Sequence, residues 1–137
     1  MTDKQGFYKT VFLVGAAYDM IIGAVFFLAW RPIFESLAIE APGHVSYLHI
    51  TTAYVFVQGL GYWYVSRNII RNLDLVRLGI VYKTIYVGLA AYYLMINQLL
   101  HAVFAWFAVF DLIFLMLFVA CLRWAAALPE AREGASA

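Results

Sequence analysis

Four long apolar runs, at about 9–30, 45–66, 75–96 and 100–124, dominate the chain and limit what it can fold into. Each reaches the roughly 20 residues that a helix rising 1.5 Å per residue needs to cross a hydrocarbon layer. Backbone polar groups inside a bilayer must be satisfied within the protein, so a spanning chain is helical or a closed barrel. The runs are continuous rather than alternating in polarity, which selects helices. Turn-forming residues separate them: Trp30-Arg31-Pro32 after the first, Ala41-Pro42-Gly43-His44 before the second, Arg67 to Asp74 between the second and third, and Asn97-Gln98 before the fourth. The expectation is a single all-α domain over 1–137, an antiparallel four-helix transmembrane bundle with a polar tail at 129–137.

Composition supports this reading. Of the 137 residues, 66% are apolar and 12% charged, against roughly a quarter charged in soluble domains. A formal net charge of +1 gives no basic field for a nucleic acid. The lone Cys121 closes no internal disulfide. The first run is too long for a signal-peptide core, contains Asp19 and ends in Leu-Ala-Trp-Arg, so it reads as a retained helix.

The basic residues orient the bundle. Lys4, Lys9, Arg67, Arg71, Arg77, Arg123 and Arg132 all fall at the termini or in the second loop, while Arg31 alone falls on the other side. The positive-inside bias then places both termini in the cytoplasm of a multi-pass protein of the cell inner membrane. The segment Pro32–Ile39, outside the membrane in this orientation, reads as a short interfacial helix or an ordered loop.

Asp19, Lys83 and Asp111 fall inside predicted spans, and Gln58 joins them as an amide. A charge at the bilayer centre costs about 2.5–3.5 kcal/mol even on lenient insertion scales, so such groups pair or serve a function. Side chains lean toward the amino end of their own helix. On that basis Asp19 and Lys83 lean together and form a structural ion pair, whereas Asp111 leans away from Lys83. Asp111 is therefore expected to be either a neutral hydrogen-bond partner for Gln58 or a tyrosine, or a protonatable ligand or proton site with Gln58, Tyr54 and Tyr62. Glycines four residues from the charges (Gly15, Gly23, Gly79) suit close helix packing.

Other constellations are weaker. His49 and His101 start their helices at similar depth and could be axial ligands of a haem b. His49 is nine residues, half a turn out of phase, from Gln58, which turns one of them away from the interior. No metal site is expected, because nothing but the distant Glu40 completes a ligand set with the histidines. No phosphate loop or nucleophilic triad appears, so nothing marks an enzyme. The ten tyrosines and eleven phenylalanines read as core and interface, with quinone or pigment contact as a minor alternative.

The order Gly15…Tyr18-Asp19, Gln58-Gly59-x-Gly61-Tyr62-Trp63, Arg67-Asn68, Gly79-x-x-x-Lys83 and Asp111-Leu112 resembles small four-helix bacterial integral membrane proteins. The resemblance implies a fold and brings no activity, ligand or partner. Two functions are expected from the residues. The first is a non-enzymatic accessory or interaction subunit, without cofactor, whose midplane polar groups lock helix packing against a larger membrane complex or a second copy of itself. The second is a small carrier or sensor built around Asp111.

Overall fold

In the computed structural model, residues 3–128 are described, and they are all-helical with no strands. The helices are α1 (Asp3–Leu28), α2 (Trp30–Ser36), α3 (Val45–Arg67), α4 (Leu73–Met95) and α5 (Ala102–Ala126), with a single 3-10 turn (Ile70–Asn72) leading into α4. The expected polar tail at 129–137 lies outside the described residues. The four expected spans match the four long helices to within a few residues, except that α1 begins six residues earlier than the first apolar run. Its polar first turn carries Asp3, whose charge complements the positive end of the helix dipole.

Three segments are long and apolar enough to cross a membrane: Asp3–Leu28, Ile70–Met95 and Ala102–Ala126. Helix α3 is of similar length but less apolar, diluted by Thr51, Thr52, Gln58, Gly59, Gly61 and its tyrosines.

The helix ends follow local chemistry. Ala38 and Asn97 hold the left-handed conformation (φ 52° and 54°) just past α2 and α4. At each, two backbone bonds close the helix end: Ile39 N–H to Phe34 O (2.8 Å) and Ala38 N–H to Glu35 O, then Gln98 N–H to Tyr93 O (2.8 Å) and Asn97 N–H to Leu94 O. This is a Schellman closure, usually built on glycine. In the α3–α4 loop, Asn72 Nδ2 donates to Tyr64 O and Asn68 O, and Asn68 Oδ1 accepts from Arg71 N–H.

Helix α1 packs antiparallel on α3 with their backbones nearly touching. A Cβ at Gly23 would lie 2.8 Å from Thr52 O, and one at Gly59 would lie 2.9 Å from Ala16 O. Helices α4 and α5 form a second antiparallel pair. At one end the two pairs close tightly: Phe12 stacks on Phe118 (centroids 4.4 Å apart), Phe118 meets Tyr62 edge-on (4.9 Å), and Tyr8 meets Trp124. Tyr62, Val65, Val76 and Cys121 complete that core and are fully buried.

The opposite end is closed by α2. The segment Pro32–Ile39, expected as a short helix or an ordered loop, is helical as far as Ser36. Phe34 and Ile39 are buried and pack against Phe26, Leu48, Phe104 and Phe107 at the ends of α1, α3 and α5. Pro32 falls in the first turn of α2, where the missing N–H costs no helical bond.

Candidate functional site: a buried ion triad beside an aromatic cavity

Three ionisable side chains from three helices converge in the interior. Lys83 Nζ on α4 donates to both Asp19 oxygens on α1 (2.9 and 3.0 Å) and to Asp111 Oδ1 on α5 (2.7 Å). All three residues are buried, Lys83 completely. Four aromatic rings surround the ammonium, those of Tyr18, Tyr62, Tyr82 and Phe114, with centroids 5.4–5.7 Å from Nζ. Such ring faces stabilise a desolvated cation.

The expectation that Asp111 stands apart from Lys83 is therefore corrected. Lean along the helix decides contact only for short side chains. The four-carbon stem of lysine spans the offset between the α4 and α5 backbones and carries its charge to both acids. Glycine near the lysine helps: Gly79, one turn earlier, lets Tyr62 approach so closely that a Cβ there would lie 2.6 Å from its ring.

Beside the triad, in the half of the bundle toward α2, is a cavity of about 130 Å³. Asp19 and Asp111 line it together with Tyr18, Tyr82, Tyr86 and Phe107. Tyr86 is held by donating to Phe104 O (3.2 Å). The Tyr18 hydroxyl is buried and has no hydrogen-bond partner among the described residues.

Of the residues expected to surround Asp111, none of Gln58, Tyr54 and Tyr62 lines this cavity. Tyr62 is buried on the far side of the lysine, against Phe12 and Phe118. Gln58 is half-buried, and Tyr54 is 69% exposed. The reason is helical phase. The inward line of α3 runs through Leu48, Thr52, Val55, Gly59 and Tyr62. At about 100° per residue, Tyr54 falls about a third of a turn from it. Polarity aligns the stripe Thr51-Tyr54-Gln58-Tyr62, whereas the small residues Thr52 and Gly59 set the contact. Tyr18, Tyr82 and Tyr86 are site residues that the sequence reading misses. Their signal lies in adjacency: Tyr18 precedes Asp19, Tyr82 precedes Lys83, and Tyr86 follows Tyr82 by one turn.

The histidines are occupied otherwise. His101 Nδ1 caps α5 by accepting from Val103 N–H (3.1 Å). A neutral imidazole accepting at Nδ1 carries its proton on Nε2, the reverse of the axial-ligand arrangement, in which Nδ1–H is the donor. His49 stacks on Phe27 (4.6 Å). These residues do not fit a haem iron. Among the described residues no group of three or more His, Cys, Asp or Glu side chains could hold a metal ion.

Comparison with protein families, with curated proteins and with solved structures finds no match. The fold and site geometry therefore define the class: an all-helical chain with three helices long and apolar enough to cross a membrane and a buried ion triad beside a cavity.

Proposed function

We propose that this chain is a small multi-pass protein of the cell inner membrane, four helices crossing with both termini cytoplasmic, that works as a carrier or sensor through a ligand or proton site at Asp111. Helix α3 serves as the fourth span because it matches the other three in length and packs along α1, where the backbones meet at Gly23 and Gly59. The charge bias of the loops supports the orientation.

The observation that carries the reading is that Asp111 is shared between a bond and a space. One oxygen binds Lys83, while the other takes no hydrogen bond from any described residue and the carboxyl lines the cavity. Two carboxylates face one ammonium, leaving one formal negative charge for a proton or a cation to balance. A second reading, an accessory subunit with a purely structural triad, is favoured by Lys83 tying α1, α4 and α5 at one point.

The two readings separate on folded yield. In the carrier or sensor reading, Asp111→Asn assembles like the wild type, because Lys83 keeps both oxygens of Asp19, while Asp19→Ala lowers the monodisperse fraction in size-exclusion chromatography. Equal loss of folded protein in Asp111→Asn, Asp19→Ala and Lys83→Ala would sink this reading and leave the structural lock.

A further inference from the structure

We propose that the cavity takes the ammonium head of a lipophilic amine that enters sideways from the bilayer between α3 and α4; this rests on the ligand site at Asp111 and names its ligand class. Four independent features of the cavity converge on that class.

The first is charge. Lys83 directs its donors to Asp19 Oδ1, Asp19 Oδ2 and Asp111 Oδ1. It makes no hydrogen bond to Asp111 Oδ2, so a second cationic donor has an acceptor waiting beside an uncompensated negative charge. An anion is repelled there, and a neutral molecule leaves the charge to be balanced by a proton instead.

The second is the wall. Tyr18, Tyr82, Tyr86 and Phe107 face the space, and aromatic faces attract cations by their quadrupoles. Two of them, Tyr18 and Tyr82, already flank Lys83, so one set of rings can serve a resident and a visiting cation. The unpartnered Tyr18 hydroxyl supplies a further acceptor. A bare metal ion is the poorer fit, because Lys83 already holds three of the four carboxylate oxygens in the lining. The hydroxyls of Thr51, Thr52 and Tyr86 are engaged with backbone carbonyls, so six or more free oxygens are not presented to a hard cation.

The third is size. About 130 Å³ is close to the roughly 150 Å³ of a cavity that holds one benzene. It seats an ammonium group and the first few carbons and leaves a longer tail outside.

The fourth is access. The end toward α2 is stoppered by Phe34 and Ile39, packed on the same Phe26, Leu48, Phe104 and Phe107 that bound the cavity. The least covered wall is the α3–α4 seam, where Thr51 is exposed and Val55, Tyr82 and Tyr86 are half-buried. In a membrane that seam faces lipid, which delivers an amphiphile with its tail still in hydrocarbon.

The test is 19F NMR of 4-fluorobenzylamine and 4-fluorobenzyl alcohol added to the full chain in phosphatidylcholine nanodiscs, with empty nanodiscs as the partitioning control. The wild type is expected to broaden the amine resonance saturably and to bind the alcohol at least about tenfold more weakly, the equivalent of one charge-assisted contact. Asp111→Asn is expected to weaken the amine about tenfold. Thr51→Trp, which fills the seam from its exposed edge, is expected to abolish binding while keeping the wild-type melting temperature. Equal binding of amine and alcohol, no effect of Asp111→Asn, or no saturable amine binding by folded wild type overturns the ligand class. Undiminished binding in Thr51→Trp overturns the entry route. None of these results touches the folded-yield comparison on which the Asp111 site itself stands or falls.

Discussion

At the scale of single residues, Lys83 is the group whose removal leaves the largest imbalance. It is completely buried and is the only hydrogen-bond donor that the described residues offer to Asp19 and Asp111. Breaking a buried ion pair by deleting one partner costs about 3–5 kcal/mol. Lys83→Met leaves two facing carboxyls without a cation, so it is expected to lower stability by about that amount. Combining Asp19→Asn, Lys83→Met and Asp111→Asn in one chain is expected to recover much of the loss, since buried ion groups are often replaceable as a set. Thermal unfolding in detergent checks both. A triple variant no better than Lys83→Met would show that the triad contributes net stability of its own.

Among the elements, the α1–α3 contact and the closure of α2 hold the helices in register. A methyl group at Gly23 meets backbone alone, and one at Gly59 meets the Met20 and Ala16 backbone as well as the Met20 side chain, all at 3.0 Å or less. Gly23→Ala and Gly59→Ala are therefore expected to push α1 from α3 and destabilise by about 1–3 kcal/mol, as overpacked sites do. Gly61, whose added Cβ would meet nothing within 4 Å, is the control, and Gly61→Ala should be neutral or slightly stabilising. Similar melting temperatures for all three variants would contradict the close backbone approach. The two Schellman closures predict the opposite sign. Ala38 holds a left-handed φ of 52°, a conformation that costs a residue with a Cβ about 1 kcal/mol more than glycine. Ala38→Gly is expected to raise the melting temperature, and a fall would argue that the closure is not formed in solution.

For the whole molecule, the testable property is the proposed crossing of a membrane by the long helices. Cys121 is fully buried, so the native chain is a quiet background for thiol labelling. A cysteine at the exposed Ser46, at the start of α3, is expected to react with an impermeant maleimide from outside intact cells. One in the α3–α4 loop, at Asn68, is expected to react only after the membrane is opened. Labelling of both from the same side would rule out α3 as a crossing helix. The four long helices and their boundaries were legible in the sequence, because hydropathy and turn residues act locally and need no knowledge of neighbours. The composition of α3 was legible too, but not its phase: the line that packs on α1 is set by Thr52 and Gly59, and small residues carry no polarity signal.

The chain by itself therefore determined what each segment is. Apolar length made the helices, turn residues such as Asn68, Asn72 and Asn97 bounded them, and three ionisable residues inside apolar runs announced that something polar had to meet in the interior. Only the tertiary structure decided which groups met. Asp111 joined Lys83 because a flexible lysine stem reaches in any direction its neighbours leave open, a freedom that spacing along one helix cannot encode. The cavity is likewise a property of four helices at once: it exists where the α1–α3 and α4–α5 pairs separate between the Phe12–Phe118 core and the Phe34 stopper. Empty space has no residue to mark it.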